Sequence, residues 1–251
     1  MTLPIFAMAA HSMAFDVFTS GHFDIGADID AGEMHPHIHS HSGGGTEYEV
    51  EDAGFWAKNN HMETRASGSQ WDFIGVSAGQ SYYRLPQNNQ TGKLYLGFGV
   101  EEIDPFSIDS YNISDPRVEA IYGTDPAPFV KWQLVSVFSS TGGNFSVWNG
   151  TSSVDPVWIS SADGIGSSDF FAQQAGGHDH VNWGFSKAGF YGITFDVSTE
   201  IGGQLVSKQA TYTFGIGDDY QPIAPVPEPA TMTVLAFGCL APLVRRRLKR
   251  S

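Results

Sequence analysis

Tyr191-Gly-Ile-Thr-Phe-Asp-Val197, followed by Glu200-Ile-Gly-Gly203, decides the fold class. Large apolar residues alternate with small or polar ones, the two-residue period of a strand with one face in a core and the other in water. The Gly-Gly pair then reads as a hairpin turn, and the stretch 204–215 as the returning strand. Upstream, Trp132-Gln-Leu-Val-Ser-Val-Phe138 alternates in the same imperfect way. Helical periodicity is almost missing between residues 15 and 217. Short runs of Val, Ile, Phe, Tyr, Trp and Thr are separated there by Gly, Pro, Asn, Asp and Ser clusters. Strands are expected at 16–25, 33–41, 47–57, 81–85, 129–139, 143–148, 157–160, 180–185, 189–199 and 204–215. About ten strands in one chain predict an all-β fold, a single antiparallel β-sandwich over residues 15–218. Two stretches fit this pattern less well. Tyr82-Tyr-Arg-Leu-Pro-Gln87 and Leu94-Tyr-Leu-Gly-Phe-Gly-Val-Glu-Glu102 read as aromatic-rich loop and strand edge, and residues 104–128, with Pro105, Pro116, Pro126 and Pro128, as a long surface excursion.

Nine histidines occur, and most are clustered. In Met34-His-Pro-His-Ile-His-Ser-His41 they alternate, so that in a strand His35, His37, His39 and His41 project from one face, about 6.6–7 Å apart along it. A second cluster, Gly177-His-Asp-His-Val-Asn-Trp183, puts His178 and His180 on a common face, with Asn182 continuing that row. Neutral imidazole is a ligand for zinc, copper, nickel and iron. Two histidines from each cluster, His37 and His39 with His178 and His180, would complete a four-coordinate Zn2+ site, or one for another divalent transition metal, without any cysteine. Asp179 faces the other way in an ideal strand and serves as an orienting residue only if the local backbone departs from one. The bland reading of the first cluster, with Gly43-Gly-Gly45 after it, is a solvated edge or loop. That of the second is a set of hydrogen-bonded turn residues beside a core tryptophan. His22 and His61 each stand alone and read as structural.

Other chemistry is weaker. Asp28, Asp30 and Glu33 offer carboxylates, but too few for a calcium cage and without EF-hand spacing, so they read as an acidic turn. No Gly-x-Ser-x-Gly, His-Glu-x-x-His or phosphate-cradling loop occurs. The expectation is a non-enzymatic protein. A zinc-dependent hydrolase built on the histidines is the least favoured alternative. Tyr82, Tyr83, Tyr95, Trp148 and Trp158 would serve a carbohydrate-binding module if exposed, and core packing otherwise.

The C-terminal stretch gives the route. Residues 232–244 are apolar apart from Thr233, and Arg245, Arg246, Arg247, Lys249 and Arg250 follow. Basic residues beside an apolar segment stay on the cytoplasmic side and leave the preceding domain outside. The run is shorter than the roughly 20 residues that span a bilayer comfortably. The sole cysteine, Cys239, lies inside it, so residues 1–226 hold no disulfide and no thiolate metal site. Over those residues 8 basic side chains face 26 acidic ones, a net of −18. Such a surface repels nucleic acid and attracts cations. Leu3 to Ala10 with Ser12-Met-Ala14 reads as a signal peptide over residues 1–14, one without a basic beginning, as expected if translation starts upstream of Met1.

Pro227-Glu228-Pro229, a short apolar helix and the arginine cluster together resemble the PEP-CTERM sorting signal of Gram-negative bacteria that make exopolysaccharide. That resemblance makes residues 227–251 the sorting signal and implies transient inner-membrane association, recognition by an exosortase with removal of the helix and basic tail, and delivery to the cell surface or extracellular matrix. Residues 219–226 would be the linker. A second resemblance runs through Gly21-His-Phe-Asp-Ile25, Trp71-Asp-Phe-Ile-Gly75, Arg84-Leu-Pro-Gln87, Leu96-Gly-Phe-Gly-Val-Glu-Glu102, Ser161-Ala-Asp-Gly164 and His178-Asp-His-Val-Asn-Trp-Gly-Phe-Ser-Lys-Ala-Gly-Phe-Tyr191. In that order, over residues 16–200, these resemble the choice-of-anchor M domain, related to actinobacterial surface-anchored repeats marked by His-x-His-x-Asn-Trp. The resemblance mildly favours a metal role and points to His178, His180, Asn182 and Trp183. Extracellular polysaccharide is the other partner to expect on this route.

Overall fold

The computed structural model describes residues 14–42, 45–151 and 154–223. The signal peptide expected before residue 14, the sorting residues Pro227, Glu228, Pro229, Arg245, Arg246 and Arg247, and the expected C-terminal apolar helix lie outside them. Sixteen strands occur in chain order: β1 (Asp16–Phe18), β2 (Gly21–Asp30), β3 (Glu33–Ser40), β4 (Thr46–Glu49), β5 (Ala53–Ala57), β6 (Met62–Thr64), β7 (Ser81–Leu85), β8 (Leu94–Gly99), β9 (Phe129–Ser139), β10 (Phe145–Trp148), β11 (Val157–Ser160), β12 (Phe170–Gln174), β13 (His178–His180), β14 (Asn182–Phe185), β15 (Gly189–Ile201) and β16 (Gln204–Ile216). A single α-helix, α1 (Pro116–Tyr122), and two short 3-10 turns complete the secondary structure among the described residues. None of these helices is long and apolar enough to cross a membrane.

The strands form three sheets, ordered β1-β5-β16-β15-β9-β12, β11-β10-β14-β7-β6 and β13-β8-β2-β3-β4. The chain is thus mostly β, as its alternation predicts, with more strands than the sequence suggests. It is not antiparallel throughout, because β1 and β16 both run parallel to β5, and β2 runs parallel to β8. Those three pairings join segments far apart in sequence, which no local turn signal announces.

The hairpin that decided the class is β15–β16. Its register runs unbroken from Gly189↔Ile216 to Ile201↔Gln204. Gly202 and Gly203 turn it with φ of +58° and +73°, a two-residue turn that matches the strands' twist. Tyr191, Ile193, Phe195 and Val197 point into the core, with Gly192, Thr194 and Asp196 on the other face. The same alternation on β2 and β3 turns Phe23, Ile25, Ala27, Met34 and Ile38 inward. One continuous core collects these side chains with Trp132, Phe145, Trp183 and Phe185.

The stretch 94–102 is not an edge. Its first residues form β8, a central strand whose Leu94, Leu96 and Phe98 are wholly buried. Gly97 and Gly99 hid it, since glycine inside a strand weakens the pattern and marks a close approach. The excursion at 104–128 contains α1, where Asp115 caps the N-terminus by accepting from the Arg117 N–H and Pro116 supplies the first-turn φ.

One run serves two sheets. β13 is an edge of the β13-β8-β2-β3-β4 sheet, and after Val181 the chain becomes β14 in the middle of the next. Trp183 is fully buried, stacks on Phe98, and donates its indole N–H to the Leu96 carbonyl at 3.0 Å. Truncating such a side chain to alanine costs about 3–5 kcal/mol. Asn182 is also fully buried; its carbonyl accepts from Arg84 and the Gln87 N–H, and its amide donates to the Trp148 and Gly150 carbonyls. Trp183 therefore fastens its sheet to that of β8, Asn182 ties β14 to β7, β10 and the adjoining loops of its own sheet, and neither hydrogen-bonds a histidine.

Candidate metal centre

The outer face of the β13-β8-β2-β3-β4 sheet is polar and crowded. Register builds it in rows that cross four strands. His37 lies opposite Gly26, which is beside Gly99, which is opposite His178. The next row runs His39, Asp24, Gly97 and His180. A third begins where His41, just past the end of β3, donates its backbone N–H to the His22 carbonyl, and continues to Tyr95. Glycines occupy the middle of these rows because side chains lie over them. A Cβ on Gly26 would run into the His37 ring, and one on Gly97 or Gly99 into the Asp24 carboxylate.

Asp24 is the centre of this face. It has no solvent exposure, and its Oδ2 accepts from His41 Nε2 at 2.7 Å. Its Oδ1 has no hydrogen-bond partner and sits 3.6 Å from His180 Nε2. Burial pushes the Asp24 carboxyl above the usual carboxylate range, against the pull of the His41 hydrogen bond. His22 and His180 direct their Nε2 atoms at each other, 2.8 Å apart. Burial, then repulsion from His41 and His178, holds His22 down at about 4. Burial, then repulsion from His22 and His178, holds His180 at about 3. Both rings are therefore neutral at pH 7, the form that ligates a metal.

Donor atoms of His22, Asp24, His178 and His180 all lie within 4.8 Å of one another. Two imidazole nitrogens on one tetrahedral zinc are about 3.3 Å apart, so the observed spacing needs only a small opening. Flanking groups fix the ring planes. His180 stacks on Tyr95 with centroids 3.5 Å apart, His22 stacks on His41 at 3.9 Å, and His178 Nδ1 meets Glu101 at 2.6 Å.

The sequence placed His37 and His39 with His178 and His180, and the structure divides these four. Three strand spacings, roughly 14 Å in all, separate β3 from β13. Only His41 bridges that gap, with its ring 5.3 Å from that of His178. His37 and His39 group instead with Glu102, and His37 also with Asp28 and His35. His39 Nδ1 meets Glu102 at 2.8 Å. His35 is held between Asp28 at 2.9 Å and Glu49 at 3.2 Å. Burial opposes charge on His35, but the two carboxylates together outweigh it and raise its pKa. Asp179 does point to the other face; it is exposed and accepts from the Tyr122 hydroxyl at 3.1 Å.

His22, which the sequence reads as structural because it stands alone, and Asp24, which the sequence does not single out, both join the cluster. Their signal was the alternation in Gly21-His-Phe-Asp-Ile-Gly-Ala-Asp28, which puts His22, Asp24, Gly26 and Asp28 on one face. His61 is structural, as its isolation suggested. It is buried, its Nδ1–H donates to the Arg84 carbonyl at 3.1 Å, and its Nε2 accepts the Leu94 N–H at 3.3 Å. Tyr82, Tyr83, Trp148 and Trp158 are all buried and offer no stacking surface to a sugar, while Tyr95 is occupied by His180. Comparison with family models, with curated proteins and with solved structures finds no match.

Proposed function

We propose that this chain is an exported, non-enzymatic cell-surface or matrix protein that holds a divalent transition metal, with zinc and copper the best fits, between β2 and β13. His22, Asp24, His178 and His180 are its ligand set. One observation carries this reading: a fully buried aspartate keeps an oxygen without a partner, facing neutral imidazoles whose nitrogens converge. A buried carboxylate without a counter-charge costs several kcal/mol, and a bound cation removes that cost. The acidic surface favours the same ligand by drawing cations toward it.

The route remains the one the sequence suggests. Pro227-Glu228-Pro229, the apolar stretch and Arg245–Arg247 support sorting by an exosortase after transient membrane association. The order of motifs over residues 16–200 supports a choice-of-anchor M-like domain, and the three sheets are read as a sandwich in which the β1-β5-β16-β15-β9-β12 sheet covers the inner face of β3 and its neighbours.

The test is metal retention. The purified chain is loaded separately with Zn2+ and Cu2+, desalted at pH 7, and its metal content measured. At least one equivalent should remain, and His22→Ala with His180→Ala should lower affinity by 100-fold or more. Retention of neither metal by the parent chain, or equal retention by the double variant, would sink this function.

A further inference from the structure

The donors on this face outnumber the needs of one ion, and they divide. His22, Asp24, His178 and His180 form one group within 4.8 Å, and His39, His41 and Glu101 form another that shares no residue with it. Two carboxylates stand between the groups, each with one oxygen toward either side. Asp24 turns Oδ1 toward His180 at 3.6 Å and Oδ2 toward His41 at 2.7 Å. Glu101 turns Oε1 toward His178 at 2.6 Å and Oε2 toward His41 at 3.8 Å. The His39 and His41 rings stack with centroids 4.6 Å apart, and a donor atom of each lies within 4.8 Å of the other and of a Glu101 oxygen.

We propose that the face binds two ions, not one: the first on His22, His178 and His180, the second on His39 and His41, with Asp24 and Glu101 as bridging carboxylates. This rests on the metal reading above and deepens it. Its physical basis is the geometry of a carboxylate, whose two oxygens place two cations about 3.5–4 Å apart. A nitrogen and an oxygen 2.7 Å apart, as His41 and Asp24 are, must separate by only about half an ångström to take an ion between them. The two extra negative charges also offset the repulsion between neighbouring cations, which neutral imidazoles alone would leave unopposed. The glycine floor is part of the design: with side chains at Gly97 and Gly99, Asp24 would be turned off the midline between the groups.

Copper(II) separates the possibilities, because two bridged copper ions couple magnetically and isolated ones do not. The full chain and the His39→Ala/His41→Ala variant are loaded with Cu2+ and desalted. Metal is counted, and the electron paramagnetic resonance signal is integrated against it. Circular dichroism checks that the variant is folded, and a Glu101→Gln chain, altered at an exposed oxygen, serves as the second variant. The expected result is a parent signal that integrates to clearly less than the copper counted. The double variant should hold one ion fewer and give full intensity, and Glu101→Gln should regain part of the missing signal. A double variant that holds as much copper as the parent, or a parent signal that integrates in full, overturns the bridged pair while leaving the single-ion function standing. A parent chain that retains no copper and no zinc overturns both.

Discussion

Two of the outer sheet faces of this molecule, that of β9, β15 and β16 and that of β2, β3 and β13, are built from the same strand alternation, and they solve the problem of polar side chains differently. On the face of β9, β15 and β16 outward residues find partners: Thr194 and Thr211 share a hydrogen bond of 2.9 Å across the β15–β16 ladder, and Gln133 of β9 donates to the carbonyls of Gly166 and Asp169. On β2, β3 and β13 the outward residues sink inward. There Asp24 Oδ1, His37 Nε2 and His180 Nδ1 are buried without any partner. Trp132 Nε1 and Tyr212 Oη are also buried without a partner, but each stands alone in the core. What sets the β2-β3-β13 face apart is that its unpartnered carboxylate oxygen lies among converging imidazoles, a donor set that could hold a cation.

His61 gives the sharpest break of this comparison, because it is as buried as any residue of the metal face yet fully partnered. His61→Ala should destabilise the chain by about 3 kcal/mol, since it leaves the Arg84 carbonyl and the Leu94 N–H unpaired, while metal retention stays unchanged. Burial holds this imidazole at about 4, against 6.5 for a free one. Between those values the unfolded chain binds a proton that the folded chain does not. The contribution of His61 is therefore complete above pH 6.5 and is lost as pH falls to about 4, a loss of about 3 kcal/mol. Denaturant unfolding of parent and variant at pH 7 and pH 4.5 measures it. The gap between the two chains should narrow at the lower pH, and a constant gap would show that His61 is charged in the fold.

Gly97→Val should have the next largest effect, about 1–3 kcal/mol of destabilisation from overpacking. Its new side chain meets the Asp24 carboxylate and the Asp179 backbone. Thermal melting and metal counting together are decisive here: lost metal with a modest fall in melting temperature is expected, and full retention would show that Asp24 need not lie where it does. The smallest effect belongs to the other face. Thr194→Ala should change stability by less than about 0.5 kcal/mol and metal content not at all. Metal lost on that substitution would erase the distinction between the faces.

Much of this was legible in local pattern. Alternation gave the β class, the Gly-Gly hairpin, and the fact that His35, His37, His39 and His41 share a face. What local pattern does not contain is strand order. The parallel pairing of β2 with β8 joins Gly21–Gly26 to Leu94–Gly99, and together with the pairing of β13 to β8 it brings Asp24 between the two histidine runs. His22 reads as structural from the sequence because a lone histidine has no spacing to read, although its own strand alternates cleanly. The Asn182-Trp183 pair was misleading in the opposite way. It sits in the most distinctive motif of the chain, yet Asn182 braces its own sheet and Trp183 packs that sheet onto β8.

The lengths of β4 and β13 have a consequence for life at high local density. These are the two edges of the histidine-bearing sheet, and they are four and three residues long. β4 also carries Glu47 and Glu49. A neighbouring copy that approaches either edge finds few free backbone groups to pair with, and at β4 it meets like charge. Molecules crowded side by side can therefore keep their histidine faces open without zipping together edge to edge into fibres.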